Sequence, residues 1–149
     1  VLILVDLSYV SRFWTQFESW LAMQFAMPGG LKPAVGTKNE RHHIICIQNA
    51  ASQAELFKKA LIDMWAAKTP EQAYAFLSKP DVTVTNQSDK EGQLPKIKAL
   101  NSTVQAAFSE VARQIENELA ASESAAARAE AELTAWETEN DAKAGEKNR

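Results

Sequence analysis

The sequence predicts a parallel α/β domain followed by a long, acidic, alanine-rich helix. Two short apolar runs, residues 1–5 and 44–47, are separated by a segment with helical periodicity. A strand, a helix and a second strand in this order are typical of a βαβ unit. Residues 101–141 contain neither Gly nor Pro, so a helix can continue through them without interruption.

The composition indicates one ordinary domain with an extension, because 46% of the 149 residues are hydrophobic. The first apolar run has no initiator Met, turn or cap before it, so we expect the N-terminal part of this domain to precede Val1. That run ends at Asp6, whereas a membrane span takes roughly 20 apolar residues; we expect no span. The single cysteine, Cys46, excludes an internal disulfide framework and predicts an intracellular setting, cytoplasmic or organellar.

Charge is divided unevenly along the chain. Residues 1–100 carry 11 basic and 9 acidic side chains, whereas residues 101–149 carry 5 and 10. No basic face with interleaved aromatic residues is present, so electrostatic capture of nucleic acid is not expected.

The first strand and helix follow from two patterns. Residues 1–5 are a continuous aliphatic run, which predicts a strand covered on both faces. Polar Arg12, Gln16 and Ser19 mark the solvent face of the next helix, which should end near residues 28–30, where Pro and paired Gly favour a turn. Its apolar face comprises Val10, Phe13, Trp14, Phe17, Trp20 and Leu21. We expect a polar loop from there to about Glu40.

A second strand over residues 42–48 precedes two further helices. Ser52 and Glu55 have capping-box spacing at the start of the first of these helices. Thr69, Pro70 and Gln72 predict the start of the other, which should run to about Ser78. The predicted buried face of the former helix comprises Leu56, Phe57, Ala60, Leu61, Met64 and Trp65.

The remaining segments are shorter until the long helix begins. Residues 81–85 alternate polar and apolar, which predicts an edge strand, and residues 86–93 form a predicted polar loop. A helical turn at 95–100 leads to a helix capped by Asn101 or Ser102 and running to about Asp141. We therefore expect an α/β domain at 1–100, a helix at 101–141 and a disordered tail at 142–149.

One segment resembles a known family. Tyr9, Ser11, Trp14 and Glu18 follow the first strand at the spacing of an aromatic residue, a Ser, a Trp and a Glu in plant-type TIR (Toll/interleukin-1 receptor/resistance) domains. The family's Cys after the Trp is Thr15 here. The resemblance covers about the first third of the chain, residues 1–50.

The resemblance implies a flavodoxin-like fold and, for some members, cleavage of NAD. It would make Glu18 the catalytic carboxylate, with Trp14 and Ser11 binding the nucleotide. Glu18 flanks the apolar face beside Trp14 and Phe25, where partial burial would favour the neutral acid. The alternative is a boundary carboxylate with its head in water.

No metal site or phosphate loop is expected. His42 and His43 are adjacent in a predicted strand, so their side chains point to opposite faces and cannot share one ion. Cys46 alternates with isoleucines, which is typical of a small buried hydrophobe. Gly29 and Gly30 follow a helix and lack the Lys of a phosphate loop.

The long helix favours a protein partner. Large apolar groups in its second half are limited to Leu133 and Trp136, and we expect these to contact another protein. Five residues spaced seven positions apart form a weak coiled-coil seam: Phe108, Ile115, Ser122, Ala129 and Trp136. The alternative is a solvated, partly frayed helix.

Two functions from different classes remain open. The first is a non-catalytic interaction or structural module without a cofactor, which docks into a larger protein assembly. The second is a TIR-like NAD-hydrolysing enzyme that uses Glu18, with the rest of its pocket supplied by residues before Val1 or by another copy.

Overall fold

The computed structural model describes the backbone of residues 1–146 and the side chains of residues 1–138. The chain folds as two compact units, Val1–Phe108 and Ser109–Arg149. The first is mixed α/β, with two small sheets among helices. The helices and strands are, in order, β1 (Leu2–Val5), α1 (Phe13–Ala22), β2 (Gln24–Met27), β3 (Gly30–Pro33), β4 (His43–Cys46), α2 (Ala54–Trp65), α3 (Pro70–Leu77), α4 (Gln87–Lys98) and α5 (Leu100–Glu146). Short 3-10 helices occupy Tyr9–Ser11 and Gln48–Gln53.

The predicted parallel pairing of the two apolar runs is confirmed: β1 pairs with β4, from Leu2 opposite His43 to Val5 opposite Cys46. The prediction that these strands are covered on both faces is wrong for the described residues. Burial alternates along both strands, so one face joins the core and the other is exposed. The core-facing side chains are Ile3, Val5, Ile44 and Cys46.

The first helix is shorter than predicted. It ends at Ala22, and the next residues form an antiparallel hairpin, β2–β3, instead of more helix and a polar loop. Pro28 and Gly29 form the turn of this hairpin, at the position where the sequence predicted a turn at the end of the helix. The start of α5 holds this hairpin, because the backbone N–H of Leu31 donates to Asn101 Oδ1 at 2.9 Å.

The predicted polar face of α1 is also wrong in part, because Gln16 and Ser19 are fully buried. Ser19 Oγ donates to Thr15 O at 2.8 Å, and Gln16 Nε2 donates to Val10 O. Val10, predicted to be buried, is exposed. Hydrogen bonds to neighbouring main chain offset part of the cost of burying these polar side chains, although Gln16 Oε1 is buried without a hydrogen-bond partner among the described residues.

Of the two capping boxes that the sequence predicts, one is confirmed and the other is wrong. The capping box at Thr69 is confirmed: Gln72 N donates to Thr69 Oγ1, and Thr69 N donates to Gln72 Oε1. The box at Ser52 is wrong, since its Oγ donates to Asn49 O within a 3-10 helix and α2 begins at Ala54. On α2, Leu61 and Trp65 are buried as predicted, whereas Leu56 and Ala60 are exposed.

The predicted strand at 81–85 and the predicted loop at 86–93 are both wrong. Thr83 makes one isolated parallel bridge to Arg12, with Phe13 N donating to Thr83 O at 2.8 Å. Helix α4 follows, capped by Asn86, whose side chain accepts from Ser88 N. The bridge anchors the start of α1 to this segment.

A buried lysine holds α4 in place. Lys90 is 4% exposed, and its Nζ donates to Lys79 O and Val82 O, each at 2.7 Å. Burial lowers the pKa of Lys90 from its ordinary value, and the Asp81 carboxylate opposes that shift. These hydrogen bonds to carbonyls outside α4 help to hold a helix that local sequence, with Gly92 and Pro95, disfavours.

The long C-terminal helix is confirmed, from Leu100 to Glu146. The predicted disordered tail begins at residue 142, within the described part of this helix, and residues 147–149 lie outside the described residues. Among the described helices, none is long and apolar enough to cross a membrane.

Gly30 provides a test of the contact between the hairpin and α5. Its φ is +106°, and a Cβ there would lie 2.8 Å from Asn101 Oδ1. We expect Gly30→Ala to lower the free energy of unfolding by roughly 1–3 kcal/mol, through backbone strain and a displaced Asn101. Urea denaturation measures this.

Gly29→Ala is the matched control, because a Cβ at Gly29 meets nothing within 4 Å. Its effect should stay within about 0.5 kcal/mol. Equal effects of the two substitutions would contradict the proposed role of the Gly30–Asn101 contact.

Candidate functional site

An exposed apolar surface lies on the outer side of the parallel sheet. We call it the open sheet face; it comprises Leu2, Leu4, His43 and Ile45, paired as Leu2 with His43 and Leu4 with Ile45. Leu2 is 59% exposed, Leu4 46% and Ile45 39%. Parallel sheets are normally covered on both faces, so this surface has the character of a binding site for another apolar group.

The carboxyl edge of the same sheet forms a small polar cavity. Its volume is about 180 Å³, below the roughly 300–1,000 Å³ of typical ligand pockets. Asp6 Oδ1 accepts from Ser8 N, Ser8 Oγ and Arg12 Nη2, so this carboxylate is engaged in holding the loop after β1. The lining residues are Asp6, Leu7, Ser8, Gln48 and Asn49. The arrangement favours a structural role for this edge.

Trp14 and Glu18 are exposed neighbours, one turn apart on α1. Trp14, at 39% exposure, borders a cleft of about 360 Å³ together with Arg12, Thr15 and residues 83–85. Glu18 is not among the residues that line it. The partial burial expected at Glu18 is absent, because its side chain is exposed.

Ser11, the third residue of the resemblance, is engaged locally. Its Oγ donates to Ser8 O at 2.8 Å, and its backbone O accepts from Thr83 N at 2.7 Å. The structure thus places Trp14 and Glu18 side by side on α1, whereas the Ser11 hydroxyl stabilises the 3-10 turn before that helix.

Tyr9 anchors α1 from beneath this surface. Its hydroxyl lies 2.7 Å from Ser19 Oγ and 3.0 Å from Thr15 O, so its one proton is shared between these two acceptors. Burial raises the pKa of Tyr9, the hydrogen bond with Ser19 lowers it, and the Glu18 carboxylate adds to the increase. The aromatic position of the TIR-like pattern therefore has a structural role in this chain.

The histidines and the cysteine do not converge. His43 is exposed on the open sheet face, whereas Cys46 is buried, as predicted, with its Sγ 3.5 Å from Ala54 O. His42 Nε2 lies 3.9 Å from Glu40 Oε1. Within the described part of the chain, no group of three His, Cys, Asp or Glu residues is placed to hold a metal ion.

The predicted interaction residues of α5 are both exposed, Leu133 at 56% and Trp136 at 63%. Every described side chain from residue 109 to 138 is exposed. The helix therefore presents large apolar groups to its surroundings along its described length.

Sequence reasoning missed the open sheet face. A continuous apolar run is compatible with burial on one face or on two, and only the positions of the covering helices distinguish these cases. The signal that was available is the hydrophobicity of Leu2, Leu4 and Ile45, which alternate with the core residues.

Tyr9→Phe tests the anchoring of α1. We expect a loss of roughly 1–2 kcal/mol in the free energy of unfolding near neutral pH, because two hydrogen-bonding contacts of the hydroxyl disappear. The pKa of Tyr9 is raised above its ordinary value of 10.0, so folding disfavours the phenolate. Wild-type stability should therefore fall as the pH rises through 10 towards the folded pKa, and the variant should lack this component.

Tyr74→Phe is the control, because Tyr74 is only partly buried. Chemical denaturation of the three proteins between pH 7 and 11 makes the comparison. A Tyr9→Phe profile parallel to wild type at every pH would contradict the assignment.

A scan against protein-family models found no match, and searches of the curated proteins and of the solved structures found none either. Three surfaces of the described chain are candidates for function: the open sheet face, the exposed side of α1 and the exposed face of α5.

Proposed function

We propose that this chain is a non-catalytic protein–protein interaction or structural module that docks into a larger intracellular assembly. The observation that carries the proposal is the open sheet face, where Leu2, Leu4 and Ile45 are exposed beside one another. A patch of aliphatic side chains on a sheet is a typical surface for burial against another protein.

The TIR-like resemblance supports the same conclusion. The flavodoxin-like fold that it implies has helices on both faces of a parallel sheet. In this chain the inner face joins the core with α1 and α2, and the outer face lacks a cover among the described residues. We propose that a partner supplies the second layer.

Association costs roughly 4–15 kcal/mol in lost translational and rotational freedom, so the open sheet face contributes part of the free energy of binding and other contacts with the partner contribute the remainder. Complete burial of an aliphatic side chain contributes roughly 1.5–3 kcal/mol. Leu2, Leu4 and Ile45 are each exposed by 39% or more, so each retains a substantial part of that free energy for binding. Interfaces with a few such anchors surrounded by polar contacts reach useful affinity.

The double variant Leu4→Glu with Ile45→Glu tests the proposal. Both side chains are about half buried and lie opposite each other on β1 and β4, so lost apolar burial and the like-charge pair should lower the free energy of unfolding by roughly 2–3 kcal/mol. Co-purification of partner proteins from native extract should be abolished, because two charges would be buried without counter-ions in the complex. Quantitative affinity purification measures the loss, and circular dichroism verifies the fold.

Leu56→Glu provides the matched control. Leu56 is a similarly exposed aliphatic residue, at 61%, but lies on α2, away from the open sheet face. It should retain the partners. Partners retained by the double variant would contradict the proposal.

A second candidate is a TIR-like enzyme that hydrolyses NAD, taken up as substrate. It is favoured by the proximity of Glu18 to Trp14, whose ring borders the ~360 Å³ cleft. In the proposed reaction the bond between nicotinamide and ribose breaks with its electron pair leaving on nicotinamide. Glu18 stabilises the positive charge developing on the ribose, and water adds there with release of a proton.

Nicotinamide release from NAD discriminates the two candidates. If the enzyme candidate holds, Glu18→Ala should reduce release at least about tenfold, whereas Glu55→Ala, at an exposed glutamate on α2, should not. For the interaction module we expect no release above a protein-free blank. Release that depends on Glu18 would reverse the order of the two candidates.

A further inference from the structure

The exposed face of α5 carries a regular pattern within the unit Ser109–Arg149. Apolar and small side chains recur at spacings of three and four residues, which is the a/d spacing of a coiled coil. We call this set the α5 seam; its members are Ala112, Ile115, Leu119, Ser122, Ala126, Ala129, Leu133 and Trp136. All are exposed. The seam therefore lacks a partner helix among the described residues.

The positions beside the seam are strongly acidic. Six of the eight e and g positions are glutamate: Glu116, Glu118, Glu123, Glu130, Glu132 and Glu137. The other two are Val111 and Ala125. Arg113 and Arg128 lie outside these positions, and Arg113 pairs with Glu110 at 2.7 Å. The seam is thus bordered by negative charge on both sides.

This charge pattern disfavours a second copy of the same helix. In a parallel pair the e positions of one helix face the g positions of the other, and in an antiparallel pair e faces e and g faces g. Glutamate would meet glutamate in both arrangements, and such like-charge contacts are unfavourable. A complementary partner has lysine or arginine at the flanking positions.

We propose that the α5 seam binds an α-helix of another protein, whose own apolar seam is flanked by basic side chains. The proposal rests on the interaction function proposed above and assigns a chemistry to one of its partners. Ser122, Ala126 and Ala129 are small, so they leave room for large apolar side chains of that helix. Leu119, Leu133 and Trp136 provide the larger contacts on either side.

Two designed peptides test the charge complementarity on the full chain. Both have about 28 residues (roughly four heptads) with Leu at a and d; one has Lys at every e and g position and the other has Glu. We expect the Lys peptide to bind at neutral pH, more weakly as salt rises, and the Glu peptide to bind at least about tenfold less tightly. Titration calorimetry measures both, and the chain alone should sediment as a monomer.

The proposal would be overturned by equal binding of the two peptides, by binding of neither, or by dimerisation of the chain alone through the seam. Seam-dependent dimerisation is recognised by its loss in the variant Ile115→Asp with Leu119→Asp. That variant should also lose the Lys peptide. If this variant still binds the Lys peptide, charge attraction alone holds the peptide, and recognition by the α5 seam is contradicted.

The matched control is Ala120→Asp with Ala127→Asp, which introduces two carboxylates on α5 away from the seam. This variant should keep the affinity of the chain for the Lys peptide, and circular dichroism verifies helix content in both variants. Conversion of Glu116, Glu123, Glu130 and Glu137 to Lys should transfer the preference to the Glu peptide. An unchanged preference would contradict the assigned role of these flanks.

The outcome is separable from that of the proposed function. Loss of partners in the variant Leu4→Glu with Ile45→Glu, together with failure of the Lys peptide, would refute only the partner chemistry of α5. If the chain binds the Lys peptide but the variant Leu4→Glu with Ile45→Glu keeps every partner, only the role of the open sheet face is refuted.

Discussion

The parallel ladder between β1 and β4 dictates how the remainder of the first unit is built. Parallel strands cannot be joined by a tight turn, so the chain must cross from the end of β1 to the start of β4. Helix α1 and the β2–β3 hairpin form this crossover. Trp20, fully buried, fixes α1 through a 2.9 Å hydrogen bond from its Nε1 to Lys68 O. The segment between α2 and α3 is thereby tied to the same core.

One-sided burial connects this architecture to the proposed function. The helices available in the described chain cover the face with Ile3 and Ile44, and the aliphatic side chains of the other face are exposed. The free energy is lowered when another protein covers hydrophobic surface of this kind. One face of the β1–β4 pair therefore stabilises the first unit, and the other face is available for the proposed association.

In the proposed interaction, electrostatics would give the second unit a different specificity. An apolar seam alone would accept many helices, including its own copy. The glutamates beside the α5 seam add a charge requirement, which selects among helices that have similar apolar residues. In the proposed interactions the two surfaces differ: the open sheet face would contact a partner through apolar area, and the α5 seam through apolar spacing together with charge.

Local sequence is sufficient to predict several of the main elements: the parallel strands, the buried Cys46, the Thr69 capping box and the long helix follow from periodicity and turn chemistry. Three features depend on the folded chain instead: where α1 ends, the helical state of the polar segment after Asn86, and which strand face is exposed. In the first case a contact between residues far apart in the chain overrides local preference, because Asn101 holds the hairpin. In the second case Lys90 anchors α4 to the carbonyls of Lys79 and Val82, which lie outside that helix. Contacts between residues far apart in the chain leave no periodic pattern in the sequence, whereas helices and strands do.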